Sequence, residues 1–410
     1  MVADEHQRSI FRYPVRIVLT LALLGLGCWS VAYTWPQRLI RYDLYQFDPT
    51  EEERLQHYSN AQYAYGMNAW LNMQPEKAAA FFHQAAALDS LNFDAWCKLA
   101  EIEMELGNAE KAKQILTFAS DRTDKIFRWK WPQLVLADAL GLDSVFLSHV
   151  HYLLGRDLLV QDTFQLLHTQ MGKDALVVID VLDPSHLSAY LDWLMRWGMP
   201  EESTQVWEAM IATGKPDKET ALRYAHFLLD HKRTVPSKEI WTEFSGDARL
   251  TNAGFEDEVT GRGFDWRYRR DKQDQWSMKR VSYQPHTGDF SLKVTFHGKS
   301  NLDFAHVYQI FAVSPQKRYR LSYYCKARGL TTDQGPFIEV FGFDQKGLYI
   351  AGEMITGSRG WHEKVIVFKT PADCHAAVMR LRRRASMRFD SKIRGMIWLD
   401  SFRLEEIANS

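Results

Sequence analysis

At 410 residues, with 46% hydrophobic and 25% charged positions, the chain has the length for two or three domains and the composition of an ordinary folded protein. Its formal net charge of −1 conceals a split: residues 36–244 carry 20 basic against 30 acidic groups, residues 245–410 carry 27 against 19. An acidic middle and a basic C-terminal part point to separate domains with different partners. The four cysteines, Cys28, Cys97, Cys325 and Cys374, are too few and too scattered for a disulfide framework or a zinc site.

Residues 17–37 contain no charged side chain and match the thickness of a hydrocarbon core. Arg8, Arg12 and Arg16 precede them, and Trp29, Tyr33 and Trp35 cluster at the far end, where amphipathic rings favour the interface. A single transmembrane anchor is expected, with residues 1–36 as cytoplasmic stub and span. The bulk of the chain then lies outside the cytoplasm, in a bacterium in the periplasm at the inner membrane. The alternative is a signal peptide cleaved near Ala32, after Ser30-Val31-Ala32, which releases a secreted protein. Either topology argues against a nucleic-acid partner. Residues 37–58 are expected to form a linker helix.

From Ser59 the pattern becomes helical, with an echo at 34 residues. Gly66, Ala78, Phe82 and Ala85 are answered by Ala100, Ala112, Leu116 and Ala119. Small Ala78 and Ala112 suit a close crossing of antiparallel helices, with Phe82 and Leu116 filling the gap beside them. Gly107-Asn108 supplies the turn. With Trp96 and Leu99, this spacing resembles the tetratricopeptide repeat over 59–121. Glu103, Ala69 and Ser90 depart from its usual residues. Beyond it, helices are expected at 127–142 and 145–159, and helix pairs at 185–197 with 201–212 and 218–231 with 236–244. Tyr190, Trp193, Trp197, Trp207, Tyr224, Phe227 and Trp241 fall at core spacing in those pairs. Residues 59–244 thus read as a solenoid of about five helix pairs, whose concave face would take a protein partner.

After Gly246 the helical pattern stops. Short alternating segments follow at 291–296, 307–313, 319–326, 337–343, 363–369, 376–382 and 395–404, separated by turn residues as in an all-β sandwich. The block opens with Asn252-Ala-Gly-Phe-Glu256 in 250–257 and closes with Ile397-Trp-Leu-Asp400 in 397–404. Between them lie Gly288-Asp-Phe-Ser-Leu-Lys-Val-Thr-Phe296, Tyr319-Arg-Leu-Ser-Tyr-Tyr-Cys-Lys-Ala-Arg328 and Gly360-Trp361. In this order and spacing, residues 245–410 resemble a carbohydrate-binding-module-like (galactose-binding-like) jelly roll, with 250–257 and 397–404 as its opening and closing strands. The fold class expected for the whole chain is multidomain α + β: transmembrane helix, repeat solenoid and C-terminal sandwich.

The resemblance implies that aromatic rings stack on pyranose faces and polar groups bond the hydroxyls. The residues in place for this are Trp266, Tyr268, Trp276 and Tyr308, with Arg267, Arg269 and Arg270 beside them. In Arg380-Leu-Arg-Arg-Arg-Ala-Ser-Met-Arg388 the alternation places Arg380 and Arg382 on one strand face. Guanidinium groups there suit a carboxylate or sulfate, hence an acidic polysaccharide. The competing reading is an exposed basic strand edge. Trp361 and Trp398 read as core. The resemblance also implies a structural calcium near Glu256 and Asp400; no other cofactor is expected. No phosphate-binding glycine loop, nucleophile elbow or paired metal histidines occur, so no catalytic residue is assigned and the protein is not expected to be an enzyme. The expected function is a membrane-anchored, extracytoplasmic scaffold joining a protein partner to a polysaccharide, in exopolysaccharide assembly or export. The alternative keeps the architecture and makes the jelly roll a protein-interaction or structural module of a cell-envelope complex.

Overall fold

The computed structural model describes residues 55–408 apart from 215, 248, 270–273, 344 and 389–390. The expected anchor at 17–37 and nearly all of the linker at 37–58 lie outside the described residues. Among the described residues no helix is long and apolar enough to cross a membrane. The chain divides into two compact units, one up to His186 and one from Leu187 onward.

The first unit is helical: α1 (Ser59–Leu71), α2 (Pro75–Leu88), α3 (Phe93–Glu105), α4 (Ala109–Arg122), α5 (Lys130–Ala139), α6 (Asp143–Leu154), α7 (Val160–Gln170) and α8 (Ala175–Val181). The small and large positions read from the sequence pack as expected. Ala78, Phe82, Ala85, Ala100, Ala112, Leu116 and Ala119 are all fully buried. At the α1–α2 crossing a Cβ on Gly66 would stand 2.6 Å from the Phe82 ring, so only glycine lets that ring close over α1. Gly107 takes φ +80°, and Asn108 N donates to Glu103 O at 2.8 Å, closing the α3 terminus. Glu103, one departure from the repeat pattern, is buried with two donors: Lys111 Nζ at 2.5 Å and Asn108 Nδ2 at 2.8 Å. A polar trio crosses α4, α5 and α6. Lys130 Nζ lies 3.3 Å from His149 Nδ1, and His149 Nε2 lies 3.2 Å from Ser120 Oγ.

The second unit begins with α9 (Leu187–Arg196), α10 (Pro200–Thr213), α11 (Lys218–Asp230) and α12 (Thr234–Ser245). Tyr190, Trp193, Trp207, Tyr224, Phe227 and Trp241 are buried, as their spacing predicts. Trp197 is instead 58% exposed, because α9 ends one residue before it.

Ten strands follow: β1 (Trp266–Tyr268), β2 (Trp276–Val281), β3 (Ser291–His297), β4 (Phe304–Ala312), β5 (Arg318–Leu330), β6 (Phe337–Gly342), β7 (Tyr349–Ala351), β8 (Gly357–Lys369), β9 (Ala376–Arg383) and β10 (Arg394–Ile407). They form two antiparallel five-stranded sheets, ordered β1-β4-β9-β6-β7 and β2-β3-β10-β5-β8. The inward side chains of both sheets make one core that includes Trp266, Trp276, Val307, Leu321, Tyr323, Met379, Leu381, Ile397 and Leu399.

Three expectations are corrected here. The segment 250–257 is a turn-rich loop and not a strand: Asn252 and Phe255 have φ near +51° and +59°. It still belongs to the fold, since Phe255 is buried in the core and Phe402 N donates to Ala253 O at 3.0 Å. The arginine-rich strand β9 is the middle strand of its sheet, not an edge. Trp398 is buried but outside the core, because its neighbours Ile397 and Leu399 take the inward positions; Lys293 and Lys326 cover its ring at 5.3 and 5.2 Å.

Candidate functional site

Alternation along the first sheet decides which side chains can meet a ligand. Trp266, Val307, Met379 and Leu381 point into the core, so Arg267, Tyr308, Arg380 and Arg382 take the outward face. Register brings three of these into one row: Arg267 is opposite Tyr308, Tyr308 opposite Arg380, and Arg380 opposite Glu339. The next row carries Ile310, Val378 and Phe341. Together with Arg269, Phe343 and Lys232 these residues line a groove of about 380 Å³.

Each charged wall of the groove has a different setting. Arg380 Nε donates to Glu339 Oε1 at 2.7 Å, and its guanidinium lies 4.7 Å from the Phe341 ring centre. Glu339 is almost fully buried, and its other oxygen accepts from Tyr349 Oη at 3.1 Å. Arg267 is held from three directions: Asp230 Oδ1 at 3.0 Å, His226 Nδ1 at 3.1 Å and Gly263 O at 2.9 Å. His226 Nδ1 also receives Gly263 N at 3.2 Å. Two donors on that nitrogen require an unprotonated acceptor, which places the ring proton on Nε2, facing Asp230 Oδ2 at 3.6 Å. Burial pushes the His226 pKa down against the pull of Asp230. Lys232 Nζ donates to Phe343 O at 3.3 Å and sits 3.4 Å from that ring's centre. Among the described residues, Arg269 has no ion pair.

Of the seven residues expected at a sugar site, Arg267, Tyr308 and Arg380 come together in this groove. Trp266 and Trp276 do not. They are 1% and 5% exposed and pack edge-on against Phe402 and Phe304, so neither face can receive a sugar. Tyr268 is 40% exposed at the end of β1 and does not line the groove. Arg382 is drawn away by Asp303 and by Phe304 O, the latter at 3.0 Å. Sequence reasoning missed Lys232, Phe341 and Phe343. The alternation of Phe341 and Phe343 around Gly342 offered a signal for the two rings; Lys232 offered none.

Arg383 leaves the row entirely. It is fully buried and donates to Gln334 O at 3.2 Å, Asn301 Oδ1 at 3.1 Å, Thr332 Oγ1 at 3.3 Å, Ser391 O at 2.6 Å and Leu302 O. Its fork ties the loops at that end of the sheet, and it is not available to a ligand.

Glu256 and Asp400 do approach one another: Glu256 Oε1 and Asp400 Oδ1 both lie within 4 Å of the Cβ position of Gly254. Their oxygens already accept backbone amides. Asp400 Oδ2 takes His286 N at 2.8 Å and Thr287 N at 3.2 Å, its Oδ1 takes Ser401 N, and Glu256 Oε2 takes Asp289 N at 3.0 Å. Calcium takes six to eight oxygens. Among the described residues no third carboxylate, histidine or cysteine joins the pair. With their oxygens turned to backbone donors, the two carboxylates pin the 286–290 loop.

The first unit has its own groove, about 520 Å³, between α1, α3 and α5. It is lined by Tyr63, Asp94, Lys98, Glu101, Trp129 and Trp131 among others. Asp94 anchors one wall, accepting Arg128 Nη2 at 2.5 Å and Trp129 Nε1 at 2.8 Å. Burial pushes the Tyr63 hydroxyl and the Cys97 thiol, both lining this groove, up to about 12. Cys97 is therefore a neutral thiol at physiological pH.

Residues 69–124 match the family model of the tetratricopeptide repeat. A comparison with curated proteins finds no match. Among solved structures the chain is similar to the enzymatically active domain of bacteriophage CBA120 tailspike protein 4. The two are 15% identical over 39% of this chain and 21% of that one, with a TM-score of 0.30, so the match spans about a fifth of the tailspike's length. It is similar to TmCBM61 in complex with beta-1,4-galactotriose, at 16% identity over 39% of this chain and 99% of that one, TM-score 0.28. It is also similar to Pseudomonas aeruginosa pilF, at 15% identity over 54% of this chain and 89% of that one, TM-score 0.24. Residues 69–124 thus lie in a helical repeat region, and a two-sheet all-β domain follows it in the chain.

Proposed function

We propose that this protein is a binding scaffold that holds an acidic polysaccharide in the groove of the sandwich and a protein partner on its repeat array. The observation that carries the sugar half is the row Arg267–Tyr308–Arg380 on the outward face of the first sheet, in a groove also walled by Lys232 and Arg269. A ring flanked by cations suits a pyranose bearing an anionic group: apolar C–H faces stack on the aromatic, and guanidinium binds carboxylate or sulfate. The groove between α1, α3 and α5, rich in aromatic side chains, supports a protein partner there. Binding rather than catalysis is the role assigned. The uncharged stretch at 17–37 supports a single-pass anchor at a bacterial inner membrane with the rest periplasmic, and hence a place in exopolysaccharide assembly or export.

The test of the sugar half is a glycan array probed with the full chain and with its Tyr308→Ala variant. The proposal expects retention on acidic glycans that the variant loses; an empty array refutes it. Alkaline carbonate washing tests the anchor, which should keep the protein with the membrane pellet.

One observation favours the second reading, in which the sandwich is a structural or protein-binding module. Part of its surface is already used by its own chain: Arg262 pairs with Glu219 at 2.5 Å, and Trp241 Nε1 donates to Thr251 Oγ1 at 3.0 Å. Under that reading no glycan binds, and Tyr308→Ala alters capture of a protein instead.

A further inference from the structure

We infer that the glycan groove is a composite site, whose anion-reading end is completed by Lys232 from the helices that precede the sandwich. This rests on the reading of the groove as a glycan site and adds what the sheet alone lacks.

The sheet presents Tyr308 between Arg267 and Arg380, each one strand away. Strands lie about 5 Å apart, so the row is charge, ring, charge at steps of roughly one pyranose. Neither guanidinium is spare. Arg380 is matched by Glu339, and Arg267 by Asp230. The cations with no carboxylate partner among the described residues are Lys232 and Arg269. An anionic substituent is therefore read by those two, while Arg380 and Arg267 frame the ring.

Lys232 belongs to the turn between α11 and α12, far from the sheet in sequence. Arg233 N donates to Leu228 O at 2.8 Å and Lys232 N to Leu229 O at 3.0 Å, closing α11 with Lys232 in the left-handed conformation, φ +63°. Glycine is the favoured residue at that position. A lysine there keeps a cation where backbone geometry alone would prefer none, and its ammonium reaches the groove wall over Phe343. The same helix end sets Arg267. Asp230 and His226 on α11 hold its guanidinium, so the sheet's own arginine is aimed by helical residues. One turn of helix thus contributes a ligand contact through Lys232 and positions another through Asp230 and His226. The ligand class is a pyranose carrying a carboxylate or a sulfate ester, stacked on Tyr308.

The experiment uses the full chain and three probes: polygalacturonate, dextran sulfate and neutral galactan. Affinities are measured by biolayer interferometry at two salt concentrations. Lys232→Ala should weaken anionic binding about five- to tenfold and flatten its salt dependence, and Lys232→Arg should restore it. Tyr308→Ala should remove binding altogether. Tighter binding to polygalacturonate assigns a carboxylate and tighter binding to dextran sulfate a sulfate ester; each supports the inference. If Lys232→Ala stays within twofold of the parent while Tyr308→Ala abolishes binding, the site is the sheet's alone: the inference fails and the glycan reading stands. Equal binding of galactan and the anionic probes also overturns the inference. If the parent binds none of the three, both fall.

Discussion

His149 gives the sharpest quantitative consequence of the helical packing. Its ring is fully buried between α4, α5 and α6, 3.3 Å from the Lys130 ammonium on one side and 3.2 Å from Ser120 Oγ on the other. Burial first, and the neighbouring lysine second, push its pKa from an ordinary 6.5 down to about 4. A folded-state pKa below the unfolded one means the folded form excludes the proton. The corresponding stability is fully present above pH 6.5 and is lost as the pH falls toward 4. At pH 5 the unfolded histidine is almost entirely protonated and the folded one almost entirely neutral, which amounts to about 30-fold, or about 2 kcal/mol, against the fold. The perturbation is His149→Gln, which keeps a hydrogen-bonding group and cannot titrate. The assay is amide hydrogen exchange of α4–α6 in parent and variant at pH 7.5 and pH 5, corrected for intrinsic rates, which reads local stability without requiring the whole chain to unfold in one step. The parent should lose about 30-fold more protection than the variant on acidification. Equal losses in the two proteins would show that His149 does not carry the proton linkage and that its buried setting is wrong.

Other consequences concern packing. Trp266→Ala should cost about 3–5 kcal/mol in a denaturant titration of the sandwich, while Tyr308→Ala on the outward face should leave the midpoint nearly unchanged; the reverse order would invert the assignment of the two faces. Gly66→Ala forces a methyl to within 2.6 Å of the Phe82 ring and should lower the melting temperature of the helical unit, at a cost of about 1–3 kcal/mol, despite the better helix propensity of alanine. Arg383→Met leaves the carbonyls at Gln334, Leu302 and Ser391 without their donor and should destabilise the sandwich by about 3 kcal/mol; Arg383→Lys should recover only part of that, since an ammonium cannot reproduce the fork.

What could be read in advance follows from which interactions are local. The spacing of Ala78, Phe82, Ala112 and Leu116 reports contacts between consecutive helices, so the repeat was legible, and the long alternating strands β3 to β6 and β8 to β10 were legible for the same reason. The short strands were not. Only Trp276 of β2 is buried, and all three residues of β7 are exposed, so neither carries an alternating pattern. The loop at 250–257 was misread because Phe255 and Ala253 meet the core through left-handed turns rather than through a pleat. Within the site, alternation was enough to put Arg380 and Tyr308 on a common face. It could not separate Trp266 from Arg267, since a three-residue strand leaves the inward side undecided until its register with β4 is known. Lys232 reaches the groove through tertiary packing more than thirty residues away in sequence from the nearest groove-lining strand residue, Arg267, and no local pattern encodes that.

The central claim is that a sugar lies across Tyr308, and a crystal structure of the chain with an acidic oligosaccharide tests it most directly. The account predicts a pyranose face on the Tyr308 ring, framed by Arg267 and Arg380, with its anionic group toward Lys232 and Arg269. An oligosaccharide bound on the second sheet, or a groove left unchanged at saturating ligand, would contradict it.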